Sequence, residues 1–304
     1  MAQLNSSRSA TSATLLGIIA CAIWSSAVLI MNLLASAFGM LRAGGLELLI
    51  GGAILISVAL IRGDLPRIAL HSRRCHAVCG TMWVCNLVLA WTAVATAKSS
   101  GQLLVTGLLN YLWPSLTLVL AIPILGKRAT WWLAPGLVAV TVGILLGKLA
   151  TTTETGLTGA LTDFNAVSYF SAVLDALAWA LYSNYSRKLS NPEGASAVPA
   201  YMTIAGVLLL CASSFSGSPH SPMWRDWILL LSWAALAALS YLFWDIGMRR
   251  GSVVAISTTS MLIPLLSTII TAVFSGHGIS VSILTSGALV VVGSSICRRG
   301  VVDY

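Results

Sequence analysis

Residues 101–126, GQLLVTGLLNYLWPSLTLVLAIPILG, and residues 251–276, GSVVAISTTSMLIPLLSTIITAVFSG, decide how this chain folds. Laid over one another at a shift of 150 residues, they place Gly101 on Gly251, Pro114 on Pro264 and Gly126 on Gly276. The same shift carries Val142-Gly143 onto Val292-Gly293 without a gap, and Trp24 pairs with Trp179 at a shift of 155. Chance matches between two apolar segments rarely keep so constant a spacing. The chain reads as a duplicated unit.

Composition says what surrounds that unit. Of the 304 residues 57% are hydrophobic and only 9% are charged, with a mean hydropathy of +0.90. A soluble domain carries about 25% charge, so water is not the main solvent and a cytosolic enzyme is excluded. A spanning helix takes about 20 apolar residues. Stretches of that kind run from Ser9 to Leu41, Met40 to Ile61, Ala77 to Ala97, Ser99 to Gly126, Ala129 to Gly147, Phe164 to Ser186, Gly194 to Trp224 and Trp227 to Trp244. Gly251 to Cys297 holds two more, divided by a turn at Gly276-His277-Gly278. The expected fold is therefore an all-α polytopic membrane protein with ten transmembrane helices. Its expected parts are a tail at 1–12, a first five-helix repeat at 13–150, an extracytoplasmic linker at 151–163, a second repeat at 164–297 and a tail at 298–304. Five is odd, so the second repeat enters the membrane from the opposite side and the repeat is inverted.

The net charge of +8 would otherwise suggest nucleic acid, but the basic residues are scattered in pairs at helix ends. Thirteen fall on the side of the two termini: Arg8, Arg62, Arg67, Arg73, Arg74, Lys127, Arg128, Arg187, Lys188, Arg249, Arg250, Arg298 and Arg299. Only Arg42, Lys98, Lys148 and Arg225 fall on the other, which places both termini in the cytoplasm. The first apolar stretch is too long for a signal-peptide core and is read as a retained helix. No disulfide is expected of the six cysteines, and His71, Cys75, His76 and Cys79 lack the paired spacing of a zinc site. No metal, cofactor or nucleic-acid partner is expected.

Inverted repeats are the architecture of secondary transporters, because two similar units facing opposite ways exchange inward-open and outward-open shapes at little cost. No phosphate-binding loop with its glycine-lysine signature occurs, so transport is expected to be passive or ion-coupled.

Trp24 in the first span, central Pro114 and Pro264 in spans four and nine that end in Gly126 and Gly276, and a glycine-bearing last helix in each half form one ordered pattern. That pattern resembles the EamA-type drug/metabolite transporters. The short loops and many intramembrane aromatics look most like the family's aromatic amino acid exporter branch. The resemblance implies a bacterial inner-membrane exporter of phenylalanine, tyrosine and tryptophan, and of flat cations such as methyl viologen, working by alternating access among membrane lipid. A monomer is expected. Many members of that family carry an acidic residue after the glycine that ends spans four and nine, whereas here the chain reads Gly126-Lys127-Arg128 and Gly276-His277-Gly278.

A binding site belongs near the midplane. In span six Asp175, Trp179, Tyr182 and Ser186 fall at offsets 0, 4, 7 and 11, which puts a carboxyl, two aromatics and a hydroxyl on one helical stripe. A charge at that depth costs about 3 kcal/mol or more by insertion scales, so Asp175 faces either a wet cavity or a structural partner. In span four Thr106, Asn110, Trp113 and Thr117 repeat the offsets, beside Pro114. Pro114 and Pro264 are the expected hinges, each bending its helix and freeing a carbonyl. Trp24, Asn86, Trp91 and Ser260 complete the candidate set, and aromatic packing or helix association is the plainer alternative for each tryptophan and hydroxyl. Trp131, Trp132, Trp224 and Trp227 sit beside Arg128 or Arg225 and read as an interfacial belt. Glu47 is expected to snorkel toward Arg42, and Asp245 to pair with Arg249 four positions on. All four histidines are expected in loops, which leaves Asp175 as the leading proton carrier and argues against an intramembrane enzyme. A channel is the other rival.

Overall fold

The computed structural model describes residues 2–149, 164–191, 194–214, 222–274 and 281–302. The first half comprises α1 (Ala2–Trp24), α2 (Ala27–Phe38), α3 (Met40–Ile61), the short α4 (Leu65–Ile68), α5 (Arg73–Thr96), α6 (Ser100–Asn110), α7 (Trp113–Leu125), β1 (Arg128–Ala129) and α8 (Leu133–Leu149). The second comprises α9 (Ala166–Leu189), α10 (Val198–Ser213), α11 (Trp224–Arg250), α12 (Val253–Ser260), α13 (Ile263–Phe274), α14 (Val281–Gly300) and β2 (Val301–Val302). Among the described residues five segments are long and apolar enough to cross a membrane: α3, α5, α6 with α7, α9 and α11. The α1–α2 pair makes a sixth, bent by 47°, and Leu133–Leu146, Val198–Ser213 and Val253–Ser267 are shorter apolar helices. The protein is an all-α, multi-pass membrane protein. The linker at 151–163 and the turn at Gly276-His277-Gly278 lie outside the described residues.

Three of these segments are broken near mid-span, and the breaks have chemical causes. In the first, Ser25 and Ser26 turn their hydroxyls back onto the carbonyls of Cys21 and Ile23, at 2.9 and 2.8 Å, which competes with the backbone ladder and favours a bend. That break was not expected within Ser9 to Leu41. In the other two, proline opens a new helix instead of kinking an old one. Pro114 sits in the first turn of α7, where its missing N–H costs nothing, and Pro264 does the same in α13. The two breaks, Tyr111-Leu112 and Met261-Leu262, are related by the same shift of 150 residues.

Helix pairing shows the duplication to be inverted. Helices α8 and α14 are repeat counterparts, and they pack on each other reciprocally. A Cβ at Gly143 would come within 2.8 Å of Val290 and 3.0 Å of the Ser286 carbonyl, and one at Gly293 within 2.8 Å of Val140 and 2.9 Å of the Gly136 carbonyl. Subtracting 150 from 286 and 290 gives 136 and 140, so one set of contacts is the image of the other, as in a twofold interface. Contacts that rise along α8 fall along α14, from Leu133 on Gly300 to Gly143 on Ser286, so the counterparts run antiparallel. Helices α3 and α10 do likewise, from Gly45 on Leu210 to Gly52 on Pro199. Counterparts that run in opposite directions require inverted repeats.

The same topology sorts the connections by side. Ser252 N–H donates to Thr14, Arg187 donates to the Gly251 carbonyl, the His71 ring contacts Asn191 and Ala195, and Thr130 bonds Arg299 and Gly300. A two-residue antiparallel bridge, Arg128 with Val302 and Ala129 with Val301, ties the end of the chain to the α7–α8 connection. At the opposite end Asn165 donates to the Thr96 carbonyl and to Gln102. The basic connections thus gather at one end of the helices.

Candidate functional site

Four tryptophans from four helices meet where the helices break. Trp24 ends α1, Trp113 begins α7, Trp179 lies in the middle of α9 and Trp244 lies in α11. All six pairs are in ring contact, with centroids 5.2 to 6.3 Å apart. Four cross edge to face, the arrangement the ring quadrupole prefers, and two are tilted. Tyr241 packs against Trp24, Trp83 and Trp179, and Tyr182 against Trp179. Trp113, Trp179 and Trp244 are buried, and Trp24 is half-buried.

One helical turn from Trp179, Asp175 is 1% exposed and is held from two sides. Asn110, the last residue of α6, donates its amide N–H to Oδ2 at 2.6 Å. Asn86 of α5 donates to Oδ1 and also reaches the Asp175 carbonyl. Both carboxylate oxygens therefore accept from neutral amides, and among the described residues no cation pairs with the group. The two polar stripes meet along their length: Thr106 with Ser168, Asn110 with Asp175, Trp113 with Trp179, and the Thr117 carbonyl with Asn184. Residue numbers rise together on both, so α6–α7 and α9 run parallel. The arrangement is an aromatic box with one carboxylate at its edge, beside the uncapped amino-terminal end of α7. A model of the EamA-like transporter family matches residues 11–147 and again 166–298.

The chain belongs to the EamA-like transporter family. Two relatives named aromatic amino acid exporter YddG share its length. The Salmonella typhimurium protein is 26% identical over 94% of this chain and 96% of its own, and the Escherichia coli protein 26% identical over 95% and 98%. A solved crystal structure superposes with a TM-score of 0.76 at 23% identity, covering 95% of this chain and 97% of that one, which supports the fold.

Of the candidates read from the sequence, this EamA-like transporter brings together Trp24, Asn86, Asn110, Trp113, Asp175, Trp179 and the ring of Tyr182. Trp91, Ser260 and the hydroxyl of Tyr182 lie elsewhere. Trp91 is buried against α3, where a Cβ at Gly44 would come within 2.3 Å of its ring, and it touches none of the four box tryptophans. Ser260 turns back onto the Ser257 carbonyl within its own helix. The Tyr182 hydroxyl leaves the box to donate to Asp245 at 2.8 Å. Asp245 pairs with Arg249 at 3.3 Å as the spacing implies, yet both are buried, and Arg249 also donates to the carbonyls of Asn191 and Gly194.

Sequence reasoning missed Trp244, Tyr241 and Trp83. Offsets of 3 between Tyr241 and Trp244 place both on one face of α11, a signal hidden because that helix is apolar on every side. Glu47 does not snorkel. It is 4% exposed and turned inward toward Trp233, whereas Arg42 is exposed. His76 lies in the first turn of α5 and not in a loop, where its Nε2 lies 3.2 Å from the Ile68 carbonyl.

Proposed function

We propose that this transporter exports aromatic amino acids from the cytoplasm across the bacterial inner membrane by alternating access, with both termini cytoplasmic. The observation that carries the reading is the pairing of a four-tryptophan box with a carboxylate held only by neutral donors. A zwitterion with a flat side chain needs both. Its ring exchanges edge-to-face contacts with Trp24, Trp113, Trp179 and Trp244, each such pair contributing about 0.5–1.5 kcal/mol beyond burial. Its ammonium meets Asp175, whose charge two amides stabilise without neutralising. Its carboxylate meets the start of α7, where the first backbone N–H groups lack intrahelical partners and the helix dipole is positive. The names of the two YddG relatives support the same substrate class.

The pairing of helices supports the transport mode. Trp24 and Trp244 sit on α1 and α11, which pack on each other from Gly17 with Gly247 to Trp24 with Trp244. Asn86 and Trp179 sit on α5 and α9, joined from Thr96 with Asn165 to Asn86 with Asp175. By the repeat, α1 corresponds to α9 and α5 to α11, so the two pairs are equivalent. Rocking one pair against the other opens the box to one side or, by symmetry, to the other. Tryptophan faces beside a carboxylate also suit a flat cation, which makes methyl viologen the competing substrate.

Purified protein in liposomes preloaded with radiolabelled phenylalanine or tryptophan tests the proposal. Saturable efflux above that from empty liposomes is expected. Efflux of methyl viologen that tryptophan does not inhibit, or conductance far above carrier turnover, overturns it.

A further inference from the structure

Two carboxyl groups lie buried inside the helices, and their surroundings differ. Asp175 accepts from Asn86 and Asn110 on both oxygens. Glu47 is as deeply buried, but its Oε2 has no hydrogen-bond partner, and neither has the Trp233 Nε1 that it faces. The surrounding backbone admits little else. On the faces flanking Glu47, Gly44 lies against the Trp91 ring, Gly45 against Leu210 and Gly51 against the Ala234 carbonyl, each too close for a Cβ. Among the described residues no charged side chain of α2, α5, α10 or α11 is turned toward Glu47. The titratable neighbour is Tyr241 of α11, which lies within the electrostatic reach of Glu47 and Asp175 together.

An ionised carboxyl at membrane depth, with no cation beside it and only the Trp233 N–H facing it, is expensive, whereas a neutral acid there costs much less. Glu47 therefore fits its closed position only with a proton on it. Asp175, supplied with two N–H donors, is suited to hold its charge for a substrate cation. Paired carboxyls whose surroundings pull them apart in this way divide two roles between them. Counted from the start of α3 at 1.5 Å per residue, Glu47 lies roughly 10 Å from the end of the bundle opposite the basic connections.

We propose that Glu47 is the proton-binding site of this transporter, loaded when the α3–α11 interface closes and emptied when water reaches it. The proposal rests on the transport reading above. A proton taken up from the outer side and released to the cytoplasm balances one conformational return, so export is proton antiport with Glu47 as the carrier. The ligand shifts the equilibrium because it binds the two states unequally.

Two measurements on the full chain in liposomes decide the matter. The first needs no substrate: infrared difference spectra recorded across pH are expected to show a protonated carboxyl band that Glu47→Gln abolishes and Asp175→Asn retains. A band unchanged in Glu47→Gln overturns the proposal. The second compares aromatic amino acid counterflow with accumulation driven by a proton gradient. Glu47→Gln is expected to keep counterflow and lose most of the gradient-driven accumulation, and Glu47→Asp to restore it with a shifted pH profile. Wild-type-like accumulation in Glu47→Gln, or accumulation driven by sodium instead of protons, refutes the assignment. Absence of counterflow in the wild type overturns the substrate reading instead, and the infrared result still decides for Glu47.

Discussion

Asp175→Asn separates binding from folding. The substitution keeps the shape of the side chain and replaces one acceptor oxygen by an N–H donor. One of the two asparagines must then turn its carbonyl toward position 175. Asn86 is tethered, because its amide also reaches the backbone carbonyl of residue 175 at 3.2 Å, so Asn110 is the one that turns. Two charged hydrogen bonds become neutral ones, and interhelical polar contacts of this kind average about 0.6 kcal/mol in membrane proteins, so thermal stability in detergent changes little. Binding changes much more. Removing the charge that meets a desolvated ammonium costs about 2–5 kcal/mol, which corresponds to roughly a 30-fold or greater loss of affinity. The assay is tryptophan binding by scintillation proximity alongside melting temperature, with efflux KM measured on the same preparations. Retained melting temperature with KM raised at least about 30-fold is expected. Wild-type KM in Asp175→Asn would return the residue to helix packing and remove the ammonium site.

Trp24→Leu and Trp91→Leu form a contrast. Trp24 is half-buried and shares the box, so its loss is expected to raise KM by roughly 2- to 12-fold, the equivalent of one aromatic pair. Trp91 packs against α3, so its loss is expected to lower melting temperature while leaving KM near wild type; equal effects on KM would show that Trp91 reaches the substrate. Gly143→Ala and Gly293→Ala each force a Cβ against a facing backbone carbonyl at a cost of about 1–3 kcal/mol. Similar drops in melting temperature are expected, and a strong inequality would count against the twofold packing of α8 and α14. His71 gives a pH dependence outside the membrane. Burial holds its imidazole below the ordinary 6.5, and Nδ1 accepts the Asn191 N–H at 3.0 Å. A depressed base contributes stability that is full above its ordinary value and is lost as the pH falls. The difference in melting temperature between wild type and His71→Leu is therefore expected to shrink from pH 7 to about pH 5, and a constant difference refutes this.

How much of this was legible in the sequence follows from what each residue type constrains. Glycine and proline act on the backbone, so Gly143, Gly293, Pro114 and Pro264 mark close approaches and helix starts wherever the chain places them, and the repeat could be read from them. Asp175, Asn86 and Asn110 stood out because polar groups are rare and costly at membrane depth. The break after Trp24 was hidden because serine breaks a helix only when its hydroxyl turns back on the preceding turn, as Ser25 and Ser26 do here. The turn of Trp91 toward α3 and the place of Trp244 in the box were hidden for one reason. Counting residues from a helix end gives depth but not facing, and on α5 and α11 apolar residues on all sides erase the period that would reveal it. Glu47 was assigned to Arg42 by proximity in sequence, although five positions put the two on different faces.

The packing is twofold, but the chemistry of the site is not, and that difference bears on transport. The shift of 150 that relates the two half-helix breaks sets Asn110 opposite Ser260, and the shift of 155 that relates Trp24 to Trp179 sets Asp175 opposite Ala20. Of the four box tryptophans only Trp24 and Trp179 are thus counterparts, while Trp113 falls opposite Ile263, and the carboxylate and its amide partners occur once. A symmetric scaffold with equivalent α1–α11 and α5–α9 pairs keeps its inward-open and outward-open shapes close in energy. A single carboxylate within it offers one orientation for a zwitterion in either shape. Direction must then come from something other than the scaffold, because a binding site that is the same in both states shifts neither. A second buried acid that fits only the closed interface, off the box and with one oxygen left without a partner, supplies such a bias without altering the site that the substrate meets.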